Sequence, residues 1–201
     1  GVFPNDMDHT LNHFIILDKT AYLVQSTKYS PDLPLKSFVN FTDHLGVSVL
    51  QQFCDGEGGF DGAKLLIEHG ANPLAMNQNK HTPLHQALLT TGSQESLRFL
   101  NLYVENNWRS SDGMTRAIEM PNAFGLSPLH AAVTGGHAEV VRFLIDYRVN
   151  LRARFEKKSL LPVMLAAEFF HIQIMKLLLD ADPAQVNFAD ADGNTVTHYA
   201  M

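Results

Sequence analysis

The sequence predicts an all-α solenoid of stacked helix-turn-helix units, and three observations predict it. The first is a recurring phrase, clearest as Ser127-Pro128-Leu129-His130-Ala131-Ala132. A short form, Thr82-Pro83-Leu84-His85, lies 45 residues earlier, and Ser48-Val49-Leu50-Gln51 lies 34 before that. Leu161-Pro162-Val163-Met164-Leu165-Ala166-Ala167 follows Ser127 by 34 residues, and Thr195-Val196-Thr197-His198-Tyr199-Ala200 follows by 34 more. The second observation is that the first four copies each continue into two apolar stripes at helical spacing. The third is that polar, turn-rich segments separate these pairs. Units of this kind bury their apolar faces only against their neighbours.

Each element follows from its residues. The first pair takes Val47, Leu50 and Phe53, then Ala63, Leu65, Leu66 and Ile67. The second takes Leu84, Ala87 and Leu88, then Leu97, Phe99, Leu100 and Tyr103. In the third, Ser127 is a good N-cap and Pro128 suits a first helical turn, which needs no amide donor. Gly135-Gly136 ends that helix, and Val140, Val141, Leu144 and Ile145 stripe a second helix over 138–147. The fourth repeats the plan with Val163, Leu165, Ala166 and Ala167, then Ile172, Ile174, Leu177, Leu178 and Leu179. Segments 70–81, 122–126, 150–159 and 182–194 are the connecting turns.

These residues resemble the ankyrin repeat, over residues 43–201: about four repeats and the truncated start of a fifth. The resemblance implies β-hairpin fingers projecting from the stack and an extended concave surface that binds another protein. It implies that Thr82 with His85, Ser127 with His130, and Thr195 with His198 are structural, each histidine hydrogen-bonding backbone groups between repeats. Met164 stands where the histidine is expected, so a polar link is missing there. Gly70 matches the glycine that ends the second helix, while Arg148 and Asp182 take that place later. A non-glycine residue costs about 1 kcal/mol if the backbone stays left-handed, so those turns are expected to differ. The extra eleven residues between Thr82 and Ser127 fall in 106–116 and are expected to form a surface loop.

Residues 1–42 do not match the repeat and are expected to be an N-terminal cap or a degenerate repeat. The chain stops inside a fifth repeat at Met201, which suggests a monomeric fragment of a longer protein, with Leu177 and Leu178 half covered. A formal charge of −6 disfavours a general nucleic-acid binder. Apolar runs of a handful of residues cannot span a bilayer. One cysteine, Cys54, leaves no internal disulfide and fits a reducing compartment, hence a cytoplasmic expectation.

The chemistry weighs against catalysis and against a metal or cofactor. His9 and His13 have zinc-compatible spacing without a further ligand. Cys54 reads as a small core residue rather than a nucleophile. Segment 55–61 lacks the ligand spacing of a calcium loop. Arg142, Arg148, Arg152, Arg154, Lys157 and Lys158 form a basic cluster with only Asp146 and Glu156 opposing, and Asp180, Asp182, Asp190 and Asp192 form an acidic cluster one repeat later.

The expected binding residues are Lys80, Phe124, Arg154, Phe155 and Lys157 on the fingers, with Trp108, Arg109 and Arg116 on the inserted loop. Tryptophan and arginine lead at binding hot spots. The alternative function is a substrate-positioning or targeting domain of a larger enzyme. Uneven repeat lengths and the long loop also resemble ankyrin effectors that intracellular bacteria deliver to the host cytosol.

Overall fold

The computed structural model describes residues 39–56, 58–105, 117–155 and 158–200. Trp108, Arg109, Arg116 and Lys157 lie outside them, as do His9, His13 and nearly all of the expected N-terminal cap.

Helix pairs stack in two rows. The inner row is α1 (Val49–Phe53), α3 (Pro83–Thr90), α5 (Pro128–Thr134), α7 (Pro162–Glu168) and α9 (Val196–Tyr199). The outer row is α2 (Phe60–Glu68), α4 (Ser93–Glu105), α6 (Ala138–Asp146) and α8 (Ile172–Ala181), followed by a 3-10 turn, Pro183–Asn187. Each helix packs against the next in its own row. The inner helices start where the recurring phrase starts, because that phrase is a cap. Ser48, Thr82, Ser127 and Thr195 each accept the backbone N–H three residues on, while that residue's side chain returns to the cap backbone. Leu161 has no side-chain oxygen and caps α7 without such a bond, leaving Pro162 to set the first turn.

The core runs unbroken between the rows. Leu84, Leu88, Leu129, Ala131, Ala132, Val163 and Ala166 fill the inner side; Phe99, Leu100, Val140, Val141, Leu144, Ile174 and Leu178 fill the outer side. Burying a leucine, valine or phenylalanine contributes about 1.5–3 kcal/mol relative to exposure. Leu178, expected to be half covered, is fully buried. The 3-10 turn folds back over α8, and Gln185 Nε2 donates to the Leu178 carbonyl at 3.3 Å.

The fingers hold isolated antiparallel bridges, Thr42 to Ser48, Phe155 to Leu160 and Ala189 to Thr195, rather than the ladders of hairpins among the described residues. What shapes them is a side-chain hook. Asp43, Asn77, Asn122 and Asp190 each place Oδ1 2.8–3.0 Å from two backbone N–H groups, two and four residues ahead. Three residues after each hook the backbone turns left-handed, at Gly46, Lys80, Gly125 and Gly193. Lys80 therefore occupies a glycine slot.

The two turns singled out in the sequence diverge. Arg148 keeps the left-handed conformation of Gly70, at φ 56°. Asp182 does not, at φ −146°, and the chain passes directly into the 3-10 turn.

Candidate protein-binding surface

Neighbouring finger edges are held in register by backbone bonds. Gln78 N donates to Leu45 O at 3.0 Å, Ala123 N to Asn79 O at 2.9 Å, and Ala191 N to Lys158 O at 2.8 Å. Finger 1 (41–48), finger 2 (75–82) and finger 3 (120–127) thus stand side by side. On them sit Phe41, 54% exposed, Leu45, 47%, Met76, 40%, and Phe124, 57%, with exposed Lys80 beside them. Exposed large apolar side chains gathered on one edge are a feature of interaction sites, whereas scattered ones need no explanation.

Farther along, Arg152 and Arg154 of the basic cluster are engaged. Arg152 makes a two-pronged ion pair with Asp182, at 2.6 and 2.9 Å, and lies over the Phe188 ring. That pairing raises the Arg152 pKa and lowers that of Asp182. Arg154 donates to the carbonyls of Ser159 and Ala189, at 3.1 and 3.2 Å, binding finger 4, closed by the Phe155–Leu160 bridge, to finger 5, closed by the Ala189–Thr195 bridge. Phe155 is half-buried, with its ring 5.6 Å from that of His130. Asp190 is held down to about 2, first by the Tyr199 hydroxyl at 2.6 Å. Of the binding residues expected from sequence, Lys80 and Phe124 are brought to one edge, while Arg154 and Phe155 are built into the stack.

The histidines differ among themselves. His85 Nδ1 accepts from Thr82 N at 3.3 Å, and Nε2 donates to Leu126 O in the next repeat at 3.0 Å. His130 keeps the cap bond from Ser127 N at 3.2 Å, but its Nε2 is buried without a partner. The Leu160 and Ala153 carbonyls of the next repeat face the ring and favour its protonated form, against the larger effect of burial. The Leu160 carbonyl also accepts the finger's own Phe155 N–H, at 2.9 Å, as the Leu126 carbonyl does from Asn122 N. His198 is exposed, with Nδ1 on Thr195. Burial holds both His85 and His130 down to about 4, so each is a neutral imidazole at neutral pH.

Two further links escaped the sequence reading. Gln51 takes the histidine's place in the first unit: Oε1 accepts from Ser48 N at 3.0 Å and Nε2 donates to His81 O at 2.7 Å. His137, at the turn between α5 and α6, reaches back to Leu88 O and Ser93 Oγ, both at 3.0 Å. Its place in the phrase Gly136-His137-Ala138 was the available signal.

On the outer side, Leu97, Arg142, Phe143, Asp146 and Gln173 line an open groove that contains none of the expected binding residues. Among the described residues no group of histidine, cysteine, aspartate or glutamate is placed to hold a metal, and no helix is long and apolar enough to cross a membrane.

Capped helix pairs stacked in two rows, with hooked fingers along one edge, define a repeat solenoid. A family model described as ankyrin repeats, in three copies, matches residues 102–187. Over those residues the chain matches ankyrin repeats, and it is similar to that family. It is similar to alpha-latrotoxin-Lg1a of Latrodectus geometricus, 27% identical over 149 residues, covering 73% of this chain and 10% of the toxin. It is also similar to the nuclear factor NF-kappa-B p105 subunit of Gallus gallus, at 27% over 67% of this chain and 13% of that protein. A B-cell lymphoma 3 protein homolog of Mus musculus is 28% identical over 70% of this chain and 29% of its own length. The chain thus spans about a tenth of the latrotoxin it matches. Ankyrin repeats are in general protein-interaction modules rather than catalysts.

Proposed function

We propose that this array binds another protein along fingers 1 to 3 and the adjoining concave face, without catalysis, as a module or scaffold. One observation carries the reading: Phe41, Leu45, Met76 and Phe124 are exposed on adjacent, hydrogen-bonded fingers. Lys80 adds a cation beside them. The inserted loop, with Trp108, Arg109 and Arg116, and Lys157 of finger 4 extend the proposed surface. The array works as a monomer in a reducing compartment such as the cytoplasm, and its charge does not suit nucleic acid.

A partner identified by cross-linking and mass spectrometry supplies the test. The double variant Leu45→Ala/Phe124→Ala should weaken its capture at least tenfold, about 1.4 kcal/mol, with the melting curve unchanged. Full affinity in that variant would move the interface to the outer-helix groove. Deleting residues 107–113 asks the same of the loop.

A second reading is favoured by the small share of the relatives that this chain covers. Here the array is the targeting or substrate-positioning part of a larger enzyme, including one that a bacterium delivers to a host. A catalytic activity that fails on its substrate when the array is removed would support it.

A further inference from the structure

The seam between fingers 2 and 3 is crossed by two imidazoles whose neighbours permit only one protonation state. Asn122 Nδ2 lies 2.8 Å from His81 Nε2. An amide nitrogen can only donate, so His81 Nε2 accepts. The amide cannot turn over, because Asn122 Oδ1 already accepts from Phe124 N and Leu126 N at 2.9 Å each. Turning it would set hydrogens against both. His85 is equally constrained: Thr82 N is a backbone donor to Nδ1, and Leu126 O is a pure acceptor from Nε2. The Thr82 hydroxyl, 2.8 Å from Nδ1, can rotate to accept a proton there, but the Thr82 N–H cannot.

We propose that this seam is an acid-operated joint: protonating His81 and His85 turns accepting nitrogens into donors facing donors, and parts the second repeat from the third. Protonated His81 loses its link to Asn122. Protonated His85 loses its cap and carries a charge into a buried site. The two rings lie 5.8 Å apart, so the second charge also meets the first. Burial lowers the pKa of His81 and brings that of His85 to about 4, where its bond to Leu126 resists and the His81 charge assists.

Among the described residues no carboxylate forms an ion pair with either ring. Those on the packed elements are occupied: Asp43 by its own turn, Asp55 by Gln86, Glu95 by Gly58 and Phe60, and Glu119 by Asn150 N. The seam between fingers 1 and 2 is built differently. Gln51 and Gln78 carry its side-chain links, and neither titrates.

Hydrogen exchange with mass spectrometry, corrected for the intrinsic pH effect, reads the opening directly. Between pH 7.5 and 5, peptides over 120–134 should lose at least about tenfold more protection than peptides over 41–53. In His81→Gln/His85→Gln, which copies the Gln51 arrangement, that excess should vanish. An equal loss in both regions, or an excess that survives in the variant, overturns the joint. Should the variant fail to fold, histidine proton NMR of the unaltered protein decides. Both imidazoles titrating at or above the ordinary value would overturn it, and both titrating well below would support it.

Discussion

The junction built on Thr82 and His85 and the junction built on Leu161 and Met164 occupy the same place in the repeat and use opposite physics. At the first, the cap hydroxyl, the imidazole and the Leu126 carbonyl form a closed set of hydrogen bonds inside the stack. At the second, Leu161 and Met164 are buried and apolar, and nothing polar crosses through them. Both join the same kinds of helices. Either a hydrogen-bonded imidazole or an apolar side chain therefore fills a repeat junction. The difference shows only when the surroundings change.

Acid makes the largest difference. His85 and His130 sit at about 4 in the folded array against 6.5 for an ordinary histidine. The unfolded chain therefore takes up the protons first. Stability is whole above pH 6.5 and falls as pH drops toward 4, by on the order of 3 kcal/mol for each residue. Met164 adds nothing to this loss. Urea midpoints at pH 7.5 and 4.5 should differ strongly, and matching midpoints would sink the claim.

Truncation reverses the ranking of the two junctions. Met164→Ala removes a fully buried side chain and should cost about 2–5 kcal/mol through lost burial and a cavity. His85→Ala should cost about 1–3 kcal/mol, chiefly by stranding Thr82 N and Leu126 O. His130→Ala should cost less than His85→Ala, because its Nε2 crosses to no partner. Chemical denaturation of the three variants tests the order; a His130 variant weaker than the His85 variant would contradict the geometry.

What was legible in the sequence follows from the range of each interaction. Capping boxes at Thr82 and Ser127 are local, three residues long, and their residue types suffice to find them. The hooks at Asp43, Asn77, Asn122 and Asp190 are equally local and keep the spacing of the repeat, so the sequence carried them too. Hairpin fingers were expected from resemblance, but the hooks do the shaping and leave isolated bridges. Phe124 was placed at an exposed edge from a polar, turn-rich context. Arg154 looked similar, yet its partners are Ser159 and Ala189 carbonyls, and the latter lies 35 residues away. His137 failed to stand out for the same reason: its partner, Leu88 O, is 49 residues back.

A smaller effect concerns backbone strain rather than the junctions themselves. Arg148 holds the left-handed slot that Gly70 fills two repeats earlier, at φ 56° against 93°. Arg148→Gly should stabilise by about 0.5–1 kcal/mol, the relief of a left-handed side chain less the entropy glycine brings to the unfolded chain. Asp182→Gly should give no such gain, since φ there is −146°. Equal melting shifts in the two variants would remove strain as the explanation.

The smallest expected effect is also the sharpest test of the comparison. Gln51 and the imidazole of His85 each present one acceptor to the cap backbone and one donor to a carbonyl in the next repeat. Gln51→His should keep both bonds, so the change in stability at pH 7.5 should stay within about 0.5 kcal/mol. What changes is titration. The new imidazole would be buried where Gln51 is now 1% exposed, with its acceptor aimed at the Ser48 N–H. Desolvation would depress its pKa, so acid should now weaken the first junction as well as the second. The measurement is the slope of unfolding free energy with pH between 6.5 and 4.5, compared with the unaltered protein. A steeper slope with neutral-pH stability intact means that the two side chains are interchangeable bridges that differ in their response to protons. An unchanged slope means that the histidine's role at these junctions is shape alone.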